Sequence, residues 1–149
     1  MIHFAGSRTF ALPVAAVAAK LSDAAFLVGC LADAKITAAT ADHAAWRLKP
    51  KLSFLTGSLE TTLDVTARQP GQSAAFKIVT KAIGATSTVT AALRFTEVEA
   101  GGTEVPWVGD LVEVTGLLKM VPKGLLQGTA EKVIEDVWAA VSAKLLESA

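Results

Sequence analysis

The run Leu59-Glu60-Thr61-Thr62-Leu63-Asp64-Val65-Thr66-Ala67-Arg68 decides the fold. Leu59, Thr61, Leu63, Val65 and Ala67 alternate with Glu60, Thr62, Asp64, Thr66 and Arg68. Successive side chains of a strand point to opposite faces, so this period of two predicts an extended strand with one packed and one wet face, the mark of an antiparallel sheet. Upstream, Trp46, Leu48, Leu52 and Phe54 alternate with Arg47, Lys49, Lys51 and Ser53, and Gly57 marks the turn between the two strands. Lys35 to Ala41 is a weaker strand before a turn at Asp42-His43. Downstream, Pro70-Gly71 turns the chain, and Phe76, Ile78 and Thr80 face inward opposite Lys77 and Lys81. After Gly84, Val89, Ala91, Leu93 and Phe95 oppose Thr88, Thr90 and Arg94. Gly101-Gly102 then leads into Thr103 to Val114, with Val105, Trp107, Gly109 and Leu111 inward. Pro106 has no N–H to give a ladder, which predicts an edge position or a bulge.

The two ends frame these strands. Ile2 to Ala11 reads as a strand, with Ile2, Phe4 and Phe10 on one face and His3, Ser7 and Thr9 on the other. Pro13 opens a short helix with Val14, Val17, Ala18 and Leu21 on its inner stripe. Ser22 or Asp23 can cap a second, Ala24 to Leu31. Near the C-terminus, Leu126, Ala130, Val133, Ile134, Val137, Val141 and Leu145 form one broad apolar stripe, with Glu131, Lys132, Glu135, Asp136 and Lys144 mostly opposite. The expectation is one α+β domain over residues 1–149, in the order β, α, α, six strands, α.

Composition narrows the function. The 149 residues carry 14 Lys and Arg against 14 Asp and Glu, a net charge of zero that lacks the footprint of a nucleic-acid binder. With 52% hydrophobic and 19% charged residues, the chain has enough apolar material for a core and is not a disordered segment. Cys30 is the single cysteine, so no internal disulfide forms, and with only His3 and His43 beside it there is no zinc set; a reducing, cytoplasmic setting is expected. The uncharged stretches Phe10 to Ala19 and Ala24 to Ala32 are too short to span a bilayer, which needs about 18 or more apolar residues. Arg8, the first of these stretches and Ala16-Val17-Ala18 imitate a secretory signal, but the strand-like alternation before them and Pro13 within them argue against it. The apolar fraction is made largely of 28 Ala, with 3 Trp, 6 Phe and no Tyr. Small residues either pack very closely or leave space. Because Trp46, Phe54, Phe76, Phe95 and Trp107 all fall on inner strand positions, thin walls around an aromatic-lined hollow are expected.

The layout, with Phe10-Ala11-Leu12-Pro13, Leu27-Val28-Gly29-Cys30-Leu31, Thr56-Gly57-Ser58-Leu59 and Gly101-Gly102-Thr103-Glu104-Val105 before Trp107, resembles the helix-grip SRPBCC or START-like superfamily over essentially the whole chain. Within it, the chain is similar to the carbon monoxide dehydrogenase G-subunit family. It departs from the family in keeping a single glycine in Lys81 to Thr86 and in having Lys49 before Pro50, where a glycine is common. The resemblance implies a seven-stranded curved antiparallel sheet gripping a long C-terminal helix, with a mostly apolar cavity between. It also implies a hydrophobic ligand, lipid- or quinone-like, no resident cofactor, and a role as an accessory protein of molybdenum-containing CO dehydrogenases. Some members reach the membrane through a C-terminal extension; with the last helix ending close to Ala149, that role is not expected here, although peripheral contact at the inner face of a membrane stays open.

Residues with chemistry are few. His3 and His43 show no triad, and Cys30 reads as a small core residue. Glu60 and Asp64 share the wet face with Arg47, Lys49 and Lys51, so charge pairing explains them. Strict alternation from Trp107 would bring Glu113 inward as a ligand-binding carboxylate; a bulge at Pro106 or Gly109 would turn it out. Leu117 to Pro122, including Met120, is either ordinary core or a gate to the cavity. The expected cavity residues are Trp46, Phe54, Leu63, Phe76 and Ile78 from the first strands. Leu93, Phe95, Trp107, Leu111 and Glu113 come from the later strands, and Met120, Val133 and Val137 from the C-terminal segment. Binding without catalysis is the expectation. The alternatives are a polyketide cyclase or dehydrase-like enzyme using the same cavity, and an adaptor whose sheet face or gate docks on a larger oxidoreductase.

Overall fold

The computed structural model describes residues 2–31, 34–48 and 58–147. The strands are β1 (Ile2–Phe10), β2 (Lys35–Ala39), β3 (His43–Leu48), β4 (Leu59–Gln69), β5 (Ser73–Ala82), β6 (Ala85–Arg94), β7 (Thr96–Glu97) and β8 (Thr103–Gly116). They form one antiparallel sheet in the order β1-β8-β6-β5-β4-β3-β2, with β7 paired to β8 alone. The helices are α1 (Val14–Leu21), α2 (Ala24–Gly29) and α3 (Lys123–Glu147). This is the expected α+β helix-grip order, with β7 added. Lys49, Pro50, Lys51, Leu52, Ser53, Phe54, Thr56 and Gly57, used in the sequence reading, lie outside the described residues.

Local chemistry accounts for the joints. Pro13 stands just before α1, and the Asp23 carboxylate accepts the Ala25 N–H at 3.0 Å to cap α2. Pro106 is not on an edge, because β8 lies between β1 and β6. The ladder with β6 ends at Leu93 opposite Trp107 and resumes with β7 at Thr96 opposite Glu104, so Pro106 stands where neither strand asks for an N–H. Phe95 leaves the ladder there and donates its N–H to the Gln72 carbonyl at 2.9 Å.

Two irregularities reset which side chains face the core. Between Val65 and Ala67 the β4–β5 register shifts, so Thr66 is an extra residue, Arg68 comes opposite the buried Ala74, and Ala67 is exposed. Arg68, expected on the wet face, instead donates to the Ser22 carbonyl (Nη2, 2.6 Å; Nε, 3.2 Å), the Ala41 carbonyl (2.8 Å) and the Asp42 carboxylate (2.7 Å). It thereby ties the α1–α2 junction to the β2–β3 turn. The second shift lies between Thr88 and Val89, opposite Val112 of β8. Past it Val114 is buried and Glu113 exposed.

The buried side chains form two clusters. The larger joins Phe10, Val17, Leu21, Val28 and Cys30 to Trp46, Leu63, Phe76, Leu93 and Phe95 on the sheet and to Trp138, Val141 and Leu145 on α3. The smaller holds Ile2, Ala85, Leu111, Val114 and Leu118, with Leu126 packed on its border.

Candidate functional site

The concave face of the sheet and the facing side of α3 are the natural walls of a site. α3 is rotated from the expected stripe: Ile134, Trp138, Val141 and Leu145 face inward, while Val133 and Val137 remain 50% and 39% exposed beside them. The spacing of four between Val133 and Val137 is the same as that between Ile134 and Trp138, and burying the larger indole decides the rotation. Trp138 was missed by the sequence reading. Its ring lies 6.4 Å from Phe10 and 6.2 Å from Trp107, with the Arg8 guanidinium 5.8 Å from its centroid. Arg8 also pairs with Glu135 at 3.0 Å, fastening α3 to the first strand.

Of the expected cavity residues, Trp46, Leu63, Phe76, Leu93 and Phe95 meet in the larger cluster, with Ile78 and Trp107 half-buried on its border, and Leu111 is in the smaller one. Phe54 lies outside the described residues. Met120 is 81% exposed and takes no part in a wall; of its segment only Leu118 is buried. Glu113 faces outward, turned by an extra residue as a bulge would do, and that extra residue is Val112 instead of Pro106 or Gly109. Between the clusters the concave face carries a row of hydroxyls that alternation did not single out. Thr61, Thr80 and Ser87 are register partners on β4, β5 and β6, and the Thr61 and Thr80 Oγ atoms are 3.3 Å apart. Two hydroxyls sharing one hydrogen bond keep one O–H to donate elsewhere.

A second feature opens where α3 passes the free edge of β1. A cleft of about 570 Å³ is lined by His3, Phe4, Ala5, Trp107, Gly128, Glu131, Lys132, Ile134 and Glu135. Trp107 covers Gly6, where a Cβ would sit only 2.8 Å from the indole. Its Nε1 is buried and has no hydrogen-bond partner among the described residues, an unmet donor at the cleft's inner wall.

The family model that describes the G subunit of carbon monoxide dehydrogenase (CoxG) matches residues 6–146. The chain belongs to this family. Three solved structures share the fold of this CoxG-family chain. A conserved protein from Geobacillus kaustophilus has 18% identity, a TM-score of 0.84, and coverage of 99% of this chain and 97% of that chain. The Zhui aromatase/cyclase from Streptomyces sp. R1128 has 16% identity, coverage of 99% and 92%, and a TM-score of 0.62. Ara h 8.0201 has 10% identity, coverage of 98% of each chain, and a TM-score of 0.63. No curated protein sequence matches it.

The remaining reactive groups of this CoxG-family chain are the two histidines, on the outer face, and Cys30, in the larger cluster. Each histidine has an adjacent acid: His3 Nδ1 is 2.6 Å from Asp110 and His43 Nδ1 is 2.6 Å from Asp64. His43 begins β3 rather than lying in a turn. Both pairs bridge neighbouring strands on the outer face, with Arg47 and Glu60 at 3.1 Å beside the second. Cys30 is buried, its Sγ donates to the Phe26 carbonyl at 3.2 Å, and burial pushes its thiol pKa up, partly offset by Lys144 and Lys20. A pocket of about 300 Å³ adjoins it between Phe26 and Lys144. Among the described residues no group of three or more His, Cys, Asp or Glu side chains could hold a metal ion, and no helix is long and apolar enough to cross a membrane.

Proposed function

We propose that this chain is a non-enzymatic binding protein that holds a hydrophobic small molecule, lipid- or quinone-like, between the sheet and α3. In this reading it serves as an accessory to a CO-dehydrogenase-type molybdenum oxidoreductase, in the cytoplasm and in peripheral contact with the membrane. The observation that carries the reading is the incomplete closure of the two layers. Val133 and Val137 on α3 keep half or more than a third of their surface exposed, and Ile78, Thr80, Ser87 and Val89 on the concave face are only partly buried between two separate clusters. Apolar surface left uncovered at a layer interface is a standing gain of about 25 cal/mol per Å² for whatever ligand covers it. The hydroxyl row supplies a donor that suits a carbonyl oxygen. Membership of the CoxG family supports the oxidoreductase association. The cyclase-like reading has less support, because the described concave face carries no carboxylate or imidazole to move protons.

The test is native mass spectrometry of freshly purified protein with organic extraction of any bound molecule, followed by titration with decylubiquinone and oleic acid read by tryptophan quenching. Thr80→Trp fills the space between the layers; it should abolish binding while leaving the melting temperature unchanged or higher. No extracted molecule together with no quenching by either probe would reject the proposal.

A further inference from the structure

We propose that the end of the sheet where the β5–β6 turn meets the segment leading into α3 docks on the surface of an anionic lipid bilayer. Apolar side chains from three segments are exposed there: Ile83 (70%) in the turn, Leu117 and Met120 in the single 3-10 turn after β8, and Leu125 in the first turn of α3. The first two of these segments touch, and the third follows the second directly in the chain. The Leu117 N–H donates to the Gly84 carbonyl at 2.8 Å, and the Leu117 side chain lies 3.3 Å from where a Gly84 Cβ would be. Gly84 and Gly116 both take left-handed backbone conformations, φ +75° and +63°, and a side chain on Gly116 would collide with the Gly84 carbonyl. The two glycines therefore let the turn and the end of β8 touch backbone to backbone, which fixes the apolar groups in place.

The charge around this tip is one-sided although the chain as a whole is neutral. Lys81, Lys119 and Lys123 are exposed at it, and the sequence contains no Asp or Glu from 65 to 96 or from 114 to 130. The flanking carboxylates, Glu60 and Glu113, sit on the outer face of β4 and β8; Glu60 is the register partner of Lys81 but is bonded to Arg47 at 3.1 Å. A tip of exposed aliphatic side chains and lysines, with no aromatic residue or arginine among its described residues, is the reverse of a protein-interface core, which favours Tyr, Trp and Arg and is depleted in Lys. It matches a peripheral membrane contact, in which apolar groups enter the headgroup boundary and lysines are drawn to anionic lipid, each by about fivefold in partitioning. The inference gives a surface to the membrane contact in the proposed function and stands on its own observations, whatever the grip holds.

The experiment is vesicle flotation with 7:3 phosphatidylcholine:phosphatidylglycerol and with pure phosphatidylcholine. The wild type is compared with Lys119→Glu/Lys123→Glu and with Ile83→Ser/Met120→Ser, all four positions being exposed. The wild type should float with the anionic vesicles, less at high salt, and weakly with the neutral ones. The charge reversal should lower partitioning by about 25-fold or more and the serine pair by about tenfold, both with unchanged melting temperature and unchanged decylubiquinone quenching. No flotation of the wild type at low salt, or flotation of both variants equal to wild type, overturns the proposal. Capture of an oxidoreductase that is lost in the same variants, without vesicle binding, overturns it in favour of a protein interface. Flotation with no quenching in the wild type rejects the ligand reading and leaves this one standing.

Discussion

Replacing Trp138 with alanine tests the rotation of α3, on which the walls of the grip depend. The indole is buried to 8% exposure and contacts Phe10, Trp107 and the Arg8 guanidinium, so the variant loses a large apolar body and two ring pairs together. Truncating a buried tryptophan costs about 3–5 kcal/mol, part of it the cavity left behind. Here the cleft beside Trp107 lets water reach the vacated space, which places the expectation near the lower end, about 3–4 kcal/mol. Against a total of about 5–15 kcal/mol for a domain, the variant still folds. With a urea slope of about 1.5–2 kcal/mol/M its midpoint drops by roughly 2 M, read by far-UV circular dichroism. Val137→Ala is the control one residue away. Its side chain is more than a third exposed, and alanine's better helix propensity offsets part of the loss, so about 0.5 kcal/mol or less is expected. Equal costs for the two, or less than 1 kcal/mol for Trp138→Ala, would refute the rotation described.

Other substitutions test the joints. Arg68→Met should cost about 1–3 kcal/mol by stranding the Ser22 carbonyl, the Ala41 carbonyl keeping the Ala24 N–H at 3.0 Å, while Arg94→Met on the wet face stays within about 0.5 kcal/mol; similar values from chemical denaturation would deny Arg68 its tying role. Gly116→Ala should lose about 3 kcal/mol or more, since both the left-handed backbone and the Gly84 carbonyl oppose a Cβ; a melting temperature near wild type would contradict the close approach. The Cys30 thiol, raised by burial, stays protonated in the folded chain at pH values where the unfolded chain, with the ordinary value of 9.0, has lost its proton. The unfolded state then binds fewer protons, so stability falls as pH rises from about 9 toward the folded value, and the contribution is intact only below about 9. Cys30→Ala should flatten that alkaline decline, and identical slopes between pH 8 and 10 would disprove the assignment.

Much of this was legible because alternation is a direct imprint of the pleat. The inner positions Trp46, Leu63, Phe76, Leu93 and Phe95 follow from period two alone, and the resemblance supplied the grip. What alternation cannot show is an inserted residue, because a bulge is defined by the partner strand's count and not by its own sequence. Thr66 and Val112 each shift the phase by one, and everything downstream changes sides: Arg68 turns to the core side, Val114 goes in and Glu113 comes out. The helix failed differently. Two stripes one residue apart had equal periodicity, and only the volume available opposite Phe10 and Trp107 selects Trp138 over Val137. The hydroxyl row was hidden for a third reason, since Thr61, Thr80 and Ser87 are far apart in the chain and become neighbours only through register.

Among the described residues the sheet order runs from β1 to β2 without closing, which leaves the outer side of each of these two strands without a strand partner there. Such edges are templates on which another chain can add a strand and begin an aggregate. At the β2 end the template is five residues long, begins with Lys35 and is kinked between Ile36 and Ala38. At the β1 end it is nine residues long, and α3 runs past it, held by Arg8 and Glu135. One end is thus protected by shortness and a kink, the other by a tethered helix. Straightening β2 by removing Thr37 would lengthen its flat edge without touching the core, and the cost would be paid in solubility rather than in folding stability.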